Sequence, residues 1–214
     1  MTKVIGIVQL KGGAGRSTLA TNLAALLSRK APTALIDCDM PQGTSASWYS
    51  LREAEERTEG LVLATADTAR DLVNTTESLE QDYVVIDAPP RIAEVTRAIL
   101  MVSDLLLIPL GASAAEIWAT TDLLDTIEEA QDERPELKSR IVWNKYRAYT
   151  KSAPELREAV KKELKAPALK NTMGYRVAYS EALARGLSGD EWTDSTAREE
   201  IRELVSEIER LVKR

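Results

Sequence analysis

The sequence predicts a doubly wound α/β fold, a mostly parallel sheet flanked by helices. Three observations carry that expectation. Segments of strand and helix character alternate along the chain. The strands read as near-continuous apolar runs, as strands buried on both faces do. A glycine-rich turn joins the first strand to the first helix.

Lys3–Gln9 is apolar and β-branched and forms the first expected strand. After the turn, Ser17–Arg29 carries Leu19, Leu23, Leu26 and Leu27 at helical spacing. Thr33–Asp37 is a second strand that ends in acids. Thr44–Glu56 reads as a helix, Leu61–Ala64 as a short strand and Thr68–Leu79 as a helix. Tyr83–Asp87 and Leu105–Pro109 are dense apolar strands, with a helix over Glu94–Val102 between them. A long helix over Ala114–Asp132, a strand over Ser139–Asn144 and a basic helix over Ala153–Lys165 follow. The last helix runs from about Ser195 to Lys213. Without an internal repeat or a long linker, one domain over residues 1–214 is expected, with no helix-turn-helix domain ahead of the first strand.

Composition narrows the chemistry. Of 214 residues, 44% are hydrophobic and 29% charged, as in ordinary globular proteins. A single cysteine, Cys38, excludes internal disulfides and cysteine-built metal or iron–sulfur sites. The absence of histidine closes every mechanism that needs an imidazole. Proton or water chemistry must therefore rest on carboxylates, backbone amides and a bound metal ion. The longest apolar run, around Leu105–Ile108, is strand-sized and far short of the roughly 18 residues of a membrane helix. No signal peptide is apparent, so a cytoplasmic protein is expected. Net charge is −6, yet the stretch from Lys138 to Arg185 holds twelve basic and four acidic residues. Such a segment fits either a footprint for a polyanion or a solvated basic helix face.

The run Lys11-Gly12-Gly13-Ala14-Gly15-Arg16-Ser17-Thr18 follows a strand and opens a helix, the context of a phosphate-binding loop. Glycines let successive backbone N–H groups close around phosphate oxygens, and the helix N-terminus adds partial positive charge. Ser17 stands where a Mg²⁺-ligating hydroxyl belongs. The general Walker pattern asks for lysine at Arg16 and for glycine at Leu10, so the run alone is a mismatch. Asp87 ends an apolar strand two residues before Pro89, where a buried acid is costly without a cation. Asn144-Lys145, after another apolar strand, fits adenine recognition or a plain strand-end turn.

Taken together, these motifs resemble the deviant Walker A loop of the ParA/MinD ATPases. Asp37-Cys38-Asp39-Met40-Pro41-Gln42-Gly43 is similar to that family's Asp-x-Asp-Pro-Gln element with Met40 inserted. Tyr83 to Pro90 resembles its Walker B strand and Pro-Pro turn, and Ser103-Asp104 through Pro109 its next strand. Arg176-x-x-Tyr179-x-Glu181-Ala182 with Gly186 is similar to a segment near its C-terminus.

The resemblance implies an ATPase that uses ATP and Mg²⁺ and dimerises when ATP is bound. On it, the backbone of Gly12, Gly13, Ala14, Gly15, Arg16, Ser17 and Thr18 cradles the phosphates. Ser17, Asp37 and Asp87 form the metal shell, Asp39 orients the attacking water, and Lys11 reaches the partner subunit's nucleotide. Arginine at position 16 keeps the charge in a larger, planar form, so slow hydrolysis is expected, and lysine there should be faster. Losing one transition-state contact costs about 3–4 kcal/mol.

Iron–sulfur relatives need cysteines that this chain lacks. A membrane-binding C-terminal helix is disfavoured by Glu199, Glu200, Glu203, Glu207 and Glu209, so its apolar stripe is expected to pack on the core. The closest resemblance is therefore to small ParA-type proteins, with nonspecific DNA of the nucleoid and an adaptor of ParB or analogous type as partners, and no membrane. The expected DNA contacts are Lys151, Arg157, Lys161, Lys162 and Lys165. The cargo is a plasmid or chromosome, or a protein assembly such as carboxysomes. The competing class is a P-loop ligase or kinase acting on a small molecule, which needs a second substrate pocket.

Overall fold

The computed structural model describes residues 2–40, 42–91, 94–111, 114–147, 150, 153–164 and 166–213. Six strands form one sheet: β1 (Lys3–Ile7), β2 (Thr33–Asp37), β3 (Leu61–Thr65), β4 (Tyr83–Asp87), β5 (Leu105–Leu110) and β6 (Lys138–Trp143). Their order is β3-β2-β4-β1-β5-β6, and every pairing is parallel. The helices are α1 (Arg16–Ser28), α2 (Thr44–Ala54), α3 (Ala69–Ser78), α4 (Glu94–Val102), α5 (Ala114–Glu133), α6 (Ala153–Glu163), α7 (Val177–Leu183) and α8 (Ser195–Val212). This is the doubly wound arrangement that the alternation predicts.

The inner strands read as nearly unbroken apolar runs because each feeds two cores. Ile5, Ile7, Leu35, Val85 and Leu107 face one cluster with Leu19, Leu23 and Leu27 of α1, Trp48 of α2, and Ile201, Leu204, Val205 and Ile208 of α8. Their neighbours Val4, Ala34, Ile36, Val84, Ile86 and Leu106 face the other, with Leu72, Ile99, Leu123, Ile127 and Val160 of α3 to α6. Burying a leucine-sized side chain stabilises by about 1.5–3 kcal/mol, so both faces favour this register.

The stripe of α8 packs on the core, as its pattern predicts, and its acids have structural work. Glu207 accepts the amides of Lys170 and Asn171, both at 2.9 Å. Glu200 accepts Gly174 N at 3.1 Å and pairs with Arg176 at 2.8 Å. These bonds tie down the segment that leads into α7, a seven-residue helix absent from the sequence-based expectation.

Strand order fixes where a ligand can sit. The chain leaves β1 toward β4 and β2 on one side, while β5 and β6 lie on the other. The turn after β1 is therefore at the reversal point, above the carboxyl ends of the strands, where parallel sheets open a crevice. Register sets Asp37 beside Asp87, and Asp87 beside Ile7.

Candidate functional site

The loop between β1 and α1 is held by its carbonyls. Arg16 Nη1 donates to Gln9 O at 2.6 Å and to Lys11 O at 3.0 Å. Lys145 Nζ donates to Gly13 O at 2.7 Å, and Asn144 Nδ2 to Ala14 O at 2.6 Å. With carbonyls drawn toward side chains, the peptide planes present N–H groups to the opposite side. No side chain caps the amides at the N-terminus of α1, and its first turn contains no acid. That end is suited to an anion.

Glycine is required at Gly15. Its φ is 90°, and a Cβ would stand 2.0 Å from Asn144 Nδ2. Lys145 adopts φ 51°, a left-handed backbone that costs a non-glycine residue about 1–3 kcal/mol. Such strain beside the loop is characteristic of a functional position.

Under the loop lie two buried acids. Asp37 is fully buried and accepts Asp39 N at 3.0 Å and Ala46 N at 2.9 Å. Asp87 Oδ2 accepts the Ser45 hydroxyl at 2.7 Å, while its buried Oδ1 has no partner. Burial pushes the Asp87 pKa up to about 7; Asp37 adds to the rise, and the hydroxyls of Ser17 and Ser45 and the Arg16 charge oppose it. A divalent cation would relieve both the orphaned oxygen and the like-charge pair. No group of three His, Cys, Asp or Glu residues among the described residues forms a metal cage. The Ser17 hydroxyl and one or two carboxylates, completed by phosphate oxygens and water, suit Mg²⁺, which rarely takes an all-protein cage. Cys38 lies buried between Asp37 and Asp39; burial first, then the neighbouring acids, raises its thiol pKa and keeps it protonated.

Arg16 is 7% exposed, and its Nε also donates to Ala88 O at 2.8 Å, so it braces the loop against the end of β4. Nη2 stays 3.9 Å from the Asp39 carboxylate, directed at the segment expected to hold the attacking water. Pro41, in that segment, lies outside the described residues. Asn144 is 4% exposed, and its Oδ1 accepts Lys145 N at 2.9 Å, so both ends of the amide are engaged by the protein. Thr18, Asn144 and Lys145 form one wall of a cavity of about 240 Å³. Tyr175, Arg176 and Tyr179 form another. Lys11 is half-exposed and ion-paired to Glu116 at 3.2 Å.

The basic segment divides by role. Arg176 is bound to Glu200, Lys138 Nζ donates to Leu211 O at 3.2 Å, and Arg147 and Arg185 lie over the rings of Tyr175 and Trp192. On α6, Lys161 and Lys162 are exposed, and Arg157 stacks 4.7 Å from the Tyr146 ring. Lys151 and Lys165 lie outside the described residues.

Several site residues escaped the sequence reading. Ser45 holds Asp87, and Gln9, only 2% exposed, links the loop to Pro109 O at 3.1 Å and Thr120 Oγ1 at 3.0 Å. The available signal for Gln9 was an amide side chain at the end of an otherwise apolar strand.

Fold and site together define a P-loop nucleotide-binding protein of the doubly wound α/β class. The family model described as "CobQ/CobB/MinD/ParA nucleotide binding domain" matches residues 5–188, and the chain belongs to that family. It is 27% identical over 209 residues to maintenance of carboxysome distribution protein A of Halothiobacillus neapolitanus, covering 95% of each chain. It is 30% identical over 214 residues to the protein of the same name from Gloeobacter kilaueensis, covering 97% of this chain and 94% of that one. The structure of a Cyanothece McdA variant in complex with ATP superposes with a TM-score of 0.74 at 20% identity, covering 96% and 95% of the two chains.

Proposed function

We propose that the chain, acting as a single ATPase domain over residues 1–214, is an ATP-driven dimerising switch that positions a cargo. The observation that carries this reading is the unpartnered Oδ1 of Asp87 beneath a loop whose carbonyls are bound by Arg16, Lys145 and Asn144. A loop with N–H groups presented and an unmatched acid beside it suits a Mg²⁺–triphosphate. Ser17, Asp37 and Asp87 would hold the metal, which supplies neutralising charge between the phosphates when bound. Backbone amides of Gly12 to Thr18 orient the phosphates, and Asp39 accepts a hydrogen bond from the attacking water. The cavity behind Thr18 takes the base, with Asn144 fixing the wall rather than reading it. Lys11 supplies charge to the nucleotide of a second copy.

The carboxysome names of the relatives favour a protein assembly as cargo, engaged through an adaptor protein. The exposed cations Arg157, Lys161 and Lys162 of α6 support DNA binding by the ATP dimer in the cytoplasm, on the nucleoid, through phosphate contacts that weaken steeply with salt. Among the described residues no helix is long and apolar enough to cross a membrane. Stimulation of phosphate release by a small metabolite rather than by DNA and an adaptor would favour the ligase or kinase reading.

Light scattering with ATP and Mg²⁺ tests the switch. The parent is expected to pass from monomer to dimer, and Lys11→Ala to bind nucleotide and stay monomeric. An undiminished ATP dimer in Lys11→Ala removes the lysine from the interface.

A further inference from the structure

Lys11 has a binding place in its own subunit. Its Nζ lies 3.2 Å from Glu116 Oε1 on the first turn of α5, with the two side chains 43% and 21% exposed. The other carboxylate oxygen accepts the amide of Gly111 at 2.5 Å. Gly111 is shaped to that carboxylate, because a Cβ there would stand 2.3 Å from Oε2. A second connection runs in parallel. Glu116 O accepts the Thr120 hydroxyl at 2.7 Å, Thr120 Oγ1 accepts Gln9 Nε2 at 3.0 Å, and Gln9 Oε1 accepts Leu10 N at 2.8 Å. The start of α5 thus holds both the strand end and the lysine that opens the loop.

We propose that Glu116 is a positioning residue for Lys11: it keeps the lysine cation within its own subunit and sets how much phosphate charge a second copy must present before the lysine crosses. This inference rests on the dimer reading above. Lys11 exchanges one carboxylate for a nucleotide, and the exchange is decided by the difference in charge offered, screened by solvent. A triphosphate offers more charge than a diphosphate, and a competing carboxylate weakens both dimers by the same factor, so at a given protein concentration it holds the ADP form below the threshold that the ATP form passes. A partly exposed pair of this kind shifts an equilibrium by about two- to fivefold. A symmetric dimer releases two pairs, so the expected shift is about four- to twenty-five-fold.

Sedimentation velocity across protein concentrations, with ATP–Mg²⁺ or ADP–Mg²⁺, tests the proposal on the parent, Glu116→Gln and Glu116→Asp. Glutamine removes the charge and keeps an acceptor for Gly111 N. Glu116→Gln is expected to tighten the ATP dimer about four- to twenty-five-fold and to dimerise with ADP where the parent is monomeric. Its nucleotide affinity as a monomer should match the parent's. Glu116→Asp keeps the charge and should restore most of the parental dimer affinity with either nucleotide. A parent that dimerises while Glu116→Gln is no tighter, or weaker, overturns the inference and leaves Glu116 a structural cap of α5. A parent that stays monomeric in ATP overturns the dimer reading, and this inference with it.

Discussion

The two ends of α1 handle buried charge in opposite ways. At its C-terminus, Arg29 meets Asp190 and Glu191 in a knot that also includes Arg52 and Arg202. Glu191 accepts Arg52 Nη1 at 2.7 Å, Ser188 N at 2.7 Å and Ser188 Oγ at 2.9 Å. One N–H in the knot, Arg52 Nε, is unpartnered, and that guanidinium lies 4.9 Å from the Trp48 ring centroid. At the N-terminus, Asp87 is more deeply buried than Glu191, yet it keeps a bare oxygen and a pKa near neutrality. Charge satisfied within the protein fastens α1, α2 and α8 together. Charge left unsatisfied awaits something the chain does not contain.

The largest expected effects separate the two ends. On the proposed reading, Asp87→Asn should lower Mg²⁺-dependent phosphate release by about 100-fold or more, since it would remove charge that anchors the metal. The same variant, metal-free at pH 8, should be at least as stable as the parent in urea, because the residue it replaces is a poorly compensated buried acid. Glu191→Ala should do the reverse. It leaves Arg52 buried without its carboxylate and should cost about 3 kcal/mol in the same unfolding measurement, with nucleotide affinity of the folded protein retained. Equal destabilisation by both variants would erase the distinction.

Arg16 provides a finer test within the loop. The sequence suggests an arginine ill-suited to its place, so that lysine should quicken turnover. The structure shows an arginine whose Nε and Nη1 reach three carbonyls on two segments. Lysine has one nitrogen at the end of a flexible stem and cannot occupy the same fork. Each buried hydrogen bond lost costs about 1–3 kcal/mol once the carbonyl is left bare. Arg16→Lys is therefore expected to weaken nucleotide binding about tenfold with no gain in turnover. Faster phosphate release at unchanged affinity would return Arg16 to the role of a poor transition-state ligand.

What the sequence disclosed, and what it withheld, follows the same divide. The inner strands were legible because each must be apolar on both faces, and Asp87 because an acid ending such a strand is anomalous. The loop was legible because glycine, a following hydroxyl and a helix start have a shared physical purpose. The knot of Arg29, Arg52, Asp190 and Glu191 was invisible because its members lie far apart in the chain, and a surface-like charge pattern does not say which cations turn inward. Gln9, Ser45 and Lys145 were missed as loop supports for the same reason: their partners are set by tertiary packing. Helix α7 is seven residues long and follows a segment held by Glu200 and Glu207, so local periodicity had little length over which to appear.

A further expected effect is on pH. With Asp87 holding Mg²⁺ as proposed, protons would compete for it, so apparent metal affinity should fall about tenfold for each pH unit below 7. In the metal-free protein the raised pKa means that the folded state binds the proton more tightly than an unfolded aspartate does, whose pKa is about 3.9. Stability from this group should then decline as pH rises from about 4 to about 7. Glu191 runs the other way. Burial acts to raise its pKa, but the bonds from Arg52 and Ser188 outweigh that and hold it at about 2. Its stabilisation is present above about pH 4.3 and is lost as pH falls toward 2. Calorimetric Mg²⁺ titration at about pH 5.5 and 7.5, with urea unfolding at about pH 5.5 and 7.5 for the Asp87 slope and at about pH 2.5 and 4.5 for the Glu191 slope, measures both, and matching signs at the two ends would break the comparison.

Cys38 gives the same region a clock. The chain has no other cysteine, and this one is shut inside the segment that joins Asp37 to Asp39. A protonated, enclosed thiol does not react with disulfide or maleimide reagents until its surroundings part. The labelling rate of the unmodified protein therefore counts openings of this segment directly, one molecule and one sulfur at a time, with no engineered probe.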